Sequence, residues 1–160
     1  MARRPSAPTA AVRVLLDAAV PHLLHTFEAG TDDFGEQAAA ALDVDPHLIL
    51  KTLVVDTGRE LAVCCVPVTG LLSLKQAAAA LGVKSLDLAD PAKAQRATGY
   101  VTGGVSPLGQ KRRLRTVIDA SVEKQPQVYV SGGRRGLDIA LDPQDLARLT
   151  GAQFSAISSG

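Results

Sequence analysis

The sequence predicts a mixed α/β fold (α+β), a mostly antiparallel sheet with helices packed against it. Three observations predict it. β-rich runs and helical periodicities alternate along the chain. Two of the β-rich runs, Leu48–Val55 and Leu61–Val68, are joined by Asp56-Thr57-Gly58-Arg59, a hairpin turn rather than a crossover. Finally, 46% of the 160 residues are apolar and 21% charged, which describes one globular domain with a real core.

The elements follow in order. Residues 2–9, with two prolines among small polar side chains, read as a tail on a single domain spanning 1–160. From Ala10 to Val20, Val12, Leu15, Leu16 and Ala19 recur at helical spacing, and Pro21 ends the helix. His22–Phe27 reads as a strand. Asp32 or Asp33 can cap a second helix running through Glu36 to Leu42. After the hairpin, Ser73 caps a helix over Lys75–Leu81 that Gly82 stops. Ser85–Leu88 is a short strand, and Asp90-Pro91 opens a helix ending near Thr98-Gly99. Arg115–Asp119, Gln127–Ser131 and Leu137–Leu141 are strands. Asp142 caps a helix over Pro143–Leu149, and Phe154–Ile157 is a last strand. The hairpin connections favour a mixed sheet over a strictly parallel one.

Composition excludes several classes of function. Aromatic residues are 3% and tryptophan is absent, so stacking platforms for single-stranded nucleic acid are scarce. The two cysteines, Cys64 and Cys65, are adjacent and cannot staple a small fold. They sit in an apolar strand with no cationic neighbour in sequence, the setting of inert thiols. No apolar run approaches the ~18 residues of a membrane span. The Arg3-Arg4 start resembles a signal n-region, but Arg13 and Asp17 interrupt its apolar core, so a cytoplasmic protein is expected. His22, His25 and His47 have no metal-ligand spacing, so no metal or other cofactor is expected. Neither a GxSxG elbow nor a GxxxxGK[ST] loop occurs.

The net charge of +1 hides a pattern. Residues 1–83 carry six basic and nine acidic side chains, residues 84–135 ten and four, and residues 136–160 one and three. The basic middle suggests a face offered to an anion, and Lys111-Arg112-Arg113-Leu114-Arg115 is its densest piece, although a solvated surface segment would look the same.

Two glycine-rich loops lie beside that charge. Residues 99–109 hold four glycines in eleven positions, and Gly132-Gly133-Arg134-Arg135-Gly136 separates two strands. Glycine exposes its backbone N–H with no side chain in the way, so such loops cradle phosphates or carbonyl oxygens; they equally make plain turns. Lys51 interrupts an apolar strand, and Asp138 stands between Leu137 and Ile139. Each is either an outward strand position or a site residue.

Three stretches carry a resemblance: Leu50-Lys51-Thr52-Leu53-Val54; Gly99-Tyr100-Val101-Thr102-Gly103-Gly104-Val105-Ser106-Pro107-Leu108-Gly109-Gln110-Lys111; and Val130-Ser131-Gly132-Gly133-Arg134-Arg135-Gly136-Leu137-Asp138. In register, with Asp33-Phe34-Gly35 and Asp90-Pro91, they resemble the YbaK/EbsC family from about Val12 to the C-terminus. These are aminoacyl-tRNA editing domains related to the insertion domain of bacterial prolyl-tRNA synthetases. The resemblance implies a barrel-like sheet surrounded by helices and a freestanding deacylase acting on mischarged tRNA, typically Cys-tRNA(Pro), with prolyl-tRNA synthetase as a partner.

Residue by residue, Lys51 matches the family's strand lysine near the 3′-terminal ribose and ester. Gly103, Gly104, Ser106 and Pro107 fall on the GxxxP loop that holds the aminoacyl group by its backbone. Ser131, Gly132 and Asp138 would line the same pocket, and Lys111, Arg112 and Arg113 would meet tRNA. Phe27 stands where several relatives carry Tyr, so a phenolic hydrogen bond offered there is missing. An aminoacyl ester is already activated, so orientation and oxyanion stabilisation suffice. In the family the substrate's own thiol is thought to form a cyclic thiolactone and release tRNA. Two other readings keep these residues: editing of another amino acid, such as Ala-tRNA(Pro), and a non-catalytic module that binds RNA or a nucleotide.

Overall fold

The computed structural model describes residues 7–28 and 40–159. Asp33-Phe34-Gly35 and most of the helix expected over 32–42 lie outside them; residues 40–42 are helical. The first helix, α1 (Ala10–Asp17), starts at Thr9, whose hydroxyl accepts from the Val12 N–H at 3.2 Å. Thr9 therefore belongs to the fold rather than to a tail, and Ala7 packs against the core. α1 stops short of Val20 because Ala19 turns left-handed (φ 54°), ahead of a residue that Pro21 bars from helical geometry.

Ten strands among the described residues form three sheets. The five-stranded sheet contains β2 (Leu50–Asp56), β3 (Leu61–Pro67), β5 (Asp87–Leu88), β6 (Arg115–Asp119) and β9 (Gln153–Ser155) in the order β5-β2-β3-β6-β9. The three-stranded sheet is β1 (Leu23–Thr26), β8 (Leu137–Leu141) and β7 (Val128–Arg134), in that order. β4 (Leu71–Leu72) pairs with β10 (Ser158–Ser159). Among the strand pairs of the described residues, only β3/β6 and β6/β9 are parallel. The sheet is thus mixed and mostly antiparallel, as expected, but the barrel is not closed. Among the described residues, the two larger sheets are hydrogen-bonded to each other at one bridge, Ile49 with Tyr129.

Strand alternation distributes the core. Val63, Cys65 and Ile118 pack in one cluster with Val130, Ile139 and Leu141 of the other sheet and with Val12, Leu15 and Leu146. The opposite face of the larger sheet, through Val55, Cys64 and Val117, is covered by α2 (Leu74–Leu81) with Ala77, Ala78 and Leu81. Cys64 and Cys65 therefore point into different clusters, both fully buried. Burial pushes the Cys65 thiol up to about 12 and the Cys64 thiol up to about 11.

The remaining helices, α3 (Pro91–Thr98) and α4 (Pro143–Thr150), open as expected: Asp90 accepts from the Lys93 N–H at 3.3 Å and Asp142 from the Gln144 N–H at 2.7 Å. A one-turn 3-10 helix at Pro46–Leu48 replaces the start of the expected strand at Leu48. The last expected strand is split. Asp119 is the reason: its carboxylate accepts from the Ile157 N–H at 3.0 Å and the Ser158 N–H at 3.1 Å, drawing the chain out of the sheet between β9 and β10. Burial alone would raise this carboxyl's pKa, but those bonds and those from Ser121 hold it below its ordinary value.

Candidate functional site

The site grows from an unpaired strand edge. β5 pairs only with Val55 and Asp56, and the Ala89 N–H donates to the Val54 carbonyl at 2.9 Å. Among the described residues, nothing pairs with the edge of β2 from Leu50 to Leu53 on that side, where alternation directs the backbone groups of Thr52 as it does those of Val54. A cavity of about 530 Å³ lies there. Lys51, Thr52 and Leu53 line it from β2, Ser131 and Asp138 from the three-stranded sheet, Phe27 from just beyond β1, Gly103 and Thr102 from the glycine-rich loop. Leu88 and the α3 residues Pro91 and Ala94 close the far side.

Three separate stretches of sequence are thereby brought together: Lys51, Gly103 and the Ser131/Asp138 pair share one cavity with Phe27. Gly104, Ser106, Pro107 and Gly132 do not line it. Ser106 and Pro107 are buried within the loop, where the Ser106 hydroxyl accepts from the Leu108 N–H at 3.2 Å and its carbonyl accepts from Gln110 Nε2 at 2.9 Å. The Gly104 N–H is committed to the Val101 carbonyl at 2.9 Å, whereas the Gly103 N–H makes no such bond among the described residues. Of the two glycines, Gly103 is the one able to donate into the cavity.

Loop 99–109 is held from several sides. The Tyr100 hydroxyl donates to the Leu108 carbonyl at 2.7 Å, tying its two ends, and burial raises that phenol to about 12. Arg135 Nε donates to the Thr102 carbonyl at 2.9 Å. The two glycine-rich loops touch backbone to backbone: a Cβ on Gly104 would lie 2.8 Å from Arg134 Cα and 3.1 Å from Arg135 N. Gly133, at φ +101°, leaves room for Tyr100 and Thr9; a Cβ there would sit 2.8 Å from the phenol ring. Thr9 Oγ1 also donates to the Gly132 carbonyl, joining α1 to this loop.

The polar lining is unevenly compensated. Asp138 faces Ser131 on β7 and His25 on β1 in direct register, so three polar side chains cross the small sheet in one row. Only 7% of Asp138 is exposed, and burial pushes its carboxyl up to about 7. The half-buried Lys51 has no ion-pair partner among the described residues. A buried acid, an unpaired ammonium and an unclaimed backbone donor can together hold an acyl group and carry charge appearing on it.

Lys111 and Arg112 are pinned by their N–H groups to the Thr98 and Ala97 carbonyls, each at 2.9 Å. Arg112 and Arg113 line a second cleft, of about 620 Å³, and Lys111 does not. Among the described residues no three of His, Cys, Asp and Glu group to hold a metal ion, and no helix is long and apolar enough to cross a membrane. Among the lining residues that sequence reading did not single out are Thr52, Leu53, Leu88, Thr102 and Arg134. None of these carried a signal of its own in the sequence; Leu88 stands out only in the structure, as an apolar side chain that is 57% exposed.

A sequence model described as "Aminoacyl-tRNA editing domain" matches residues 28–149. A protein of Enterococcus faecalis named as a candidate Cys-tRNA(Pro)/Cys-tRNA(Cys) deacylase, EbsC, is 32% identical over 155 residues, covering 94% of this chain and 93% of that protein. A proline–tRNA ligase of Desulforamulus reducens is 33% identical over 87 residues, 54% of this chain and 15% of the ligase. Among solved structures, one described as a candidate trans-editing enzyme for prolyl-tRNA synthetase superposes with a TM-score of 0.82 at 26% identity, covering 97% of this chain and all of that one.

Proposed function

The chain belongs to the aminoacyl-tRNA editing domains and is an aminoacyl-tRNA deacylase, and from that premise we propose that it clears tRNA mischarged with cysteine, Cys-tRNA(Pro) first. The relatives' names support the choice of substrate, and the likeness to a proline–tRNA ligase supports prolyl-tRNA synthetase as its working partner. Acting on charged tRNA, it would work in the cytoplasm.

One observation carries the mechanism: Lys51, Gly103 and Asp138 share a cavity, while both cysteine thiols are buried elsewhere and held protonated at neutral pH. The protein then supplies orientation and charge, and the substrate supplies the nucleophile. The cysteinyl sulfur attacks the ester carbonyl; the S–C bond forms, the C–O bond to the ribose breaks, and the thiol proton ends on the ribose oxygen. Lys51 and the Gly103 N–H stabilise the oxyanion formed on the way. Asp138 and Ser131 receive the α-ammonium, whose positive charge offsets the cost of burying the Asp138 carboxylate. Phe27 presses an apolar ring, without a hydroxyl, against the aminoacyl group. Lys111, Arg112 and Arg113 meet the tRNA backbone.

A panel of mischarged tRNAs tests this reading. Cys-tRNA(Pro) is expected to be cleaved well above its spontaneous rate, and Ser-tRNA(Pro), which exchanges sulfur for oxygen at the same position, to persist. Equal cleavage of both would remove the thiol step, and preference for Ala-tRNA(Pro) would reassign the substrate. RNA binding with no cleavage of any ester would make the protein a binding module.

A further inference from the structure

The second cleft lies across α3 from the cavity that takes the ester. Pro91 and Ala94 of that helix face the cavity, while Lys93, Arg96 and Ala97 face the cleft, as helical spacing requires of these positions. One helix, about 10 Å across with its side chains, separates the two. The cleft is strongly basic. The hairpin turn contributes Arg59, α3 contributes Lys93 and Arg96, the segment before β6 contributes Arg112 and Arg113, and β6 itself opens with Arg115.

Among the described residues lining the cleft, two carboxylates oppose these six cations, and both are already used. Asp56 pairs with Lys93 and Glu60 with Arg115, each at 3.4 Å. Among the described residues, Arg59, Arg96, Arg112 and Arg113 form no ion pair. Four uncompensated guanidiniums on one concave surface fit closely spaced phosphates, because each planar fork can take two oxygens of one phosphate. The near-absence of exposed aromatic rings argues against base stacking and for backbone contact.

We propose that this cleft binds the phosphodiester backbone of the single-stranded 3′ end of the substrate RNA, the phosphates immediately preceding the esterified nucleotide, with Arg59 and Arg96 as contacts beyond the 111–113 segment. The inference rests on the deacylase reading for the identity of the RNA. A strand that leaves its terminal ester beside Lys51 crosses α3 and brings its preceding phosphates into the cleft. The hairpin turn and α3 thereby acquire a purpose that their packing does not require, since Arg59 and Arg96 are both exposed.

Binding rather than turnover tests it. A fluorescently labelled single-stranded RNA oligonucleotide, carrying no amino acid, is titrated with the full protein across a salt series, and log K is plotted against log salt. The Arg59→Ala/Arg96→Ala variant is expected to bind more weakly and to lose about 1.4 from the magnitude of the slope, two phosphate contacts at about 0.7 each. A Lys124→Ala/Arg148→Ala control, outside the cleft, is expected to keep the wild-type slope. Equal slopes for wild type and the cleft variant overturn the proposal, as does an equal loss in the control. A wild-type protein that binds as expected but cleaves no aminoacyl-tRNA would sink the deacylase mechanism and leave the cleft standing.

Discussion

Asp138 shows what one residue costs the fold and gives the site. Its carboxyl is buried, forms no ion pair among the described residues and holds its proton up to about pH 7 in the native state, against an ordinary value of 3.8. Between these values the unfolded chain has already released the proton, so native stability falls as pH rises, and it levels off above about 7. Asp138→Asn removes the titration and keeps the shape. Its stability relative to wild type is expected to grow from pH 4 to pH 8 in urea melts; parallel curves over that range would contradict the assignment. Lys51 and Asp138 were both legible in the sequence, because a charge within an apolar strand is conspicuous. Thr52 was not: a threonine in a strand is ordinary, and only the open edge of β2 gives it a place in the cavity.

At the scale of elements, the two glycine-rich loops act as one unit. The sequence shows their glycines but not that Gly104 meets the Arg134 backbone, since nothing local records which loops touch. A Cβ at Gly104 would press on backbone atoms that cannot rotate away. Gly104→Ala is therefore expected to cost about 1–3 kcal/mol in stability, the range for overpacking, and to lower kcat/KM at least tenfold by displacing Gly103. A fully active, equally stable variant would show that the loops do not need this contact. The end of the chain teaches a similar lesson. Phe154–Ile157 reads as one strand, yet Asp119, more than thirty residues earlier, captures the Ile157 and Ser158 N–H groups and splits it. Helix starts were easier to place, because Ser73, Asp90 and Asp142 cap their own helices within three residues.

For the whole molecule, the mixed and mostly antiparallel sheet followed from hairpins and periodicity, whereas closure did not. Two sheets joined at Ile49 and Tyr129 leave β2 with a free edge, and that edge is where the cavity forms. The bridge joins residues eighty positions apart, and no local residue pattern announces it. The central claim, that Lys51 stabilises the transition state in this cavity, is tested most directly by kcat/KM for Cys-tRNA(Pro) with Lys51→Ala, beside Lys51→Met, which keeps the aliphatic stem, and Lys51→Arg. With circular dichroism and thermal melting unchanged, Ala and Met are expected to lower kcat/KM by roughly 10²-fold or more, the scale for one lost oxyanion-stabilising group. Arg is expected to rescue poorly, since a planar fork does not occupy the place of a compact ammonium. Near wild-type deacylation by folded Lys51→Met would contradict the account.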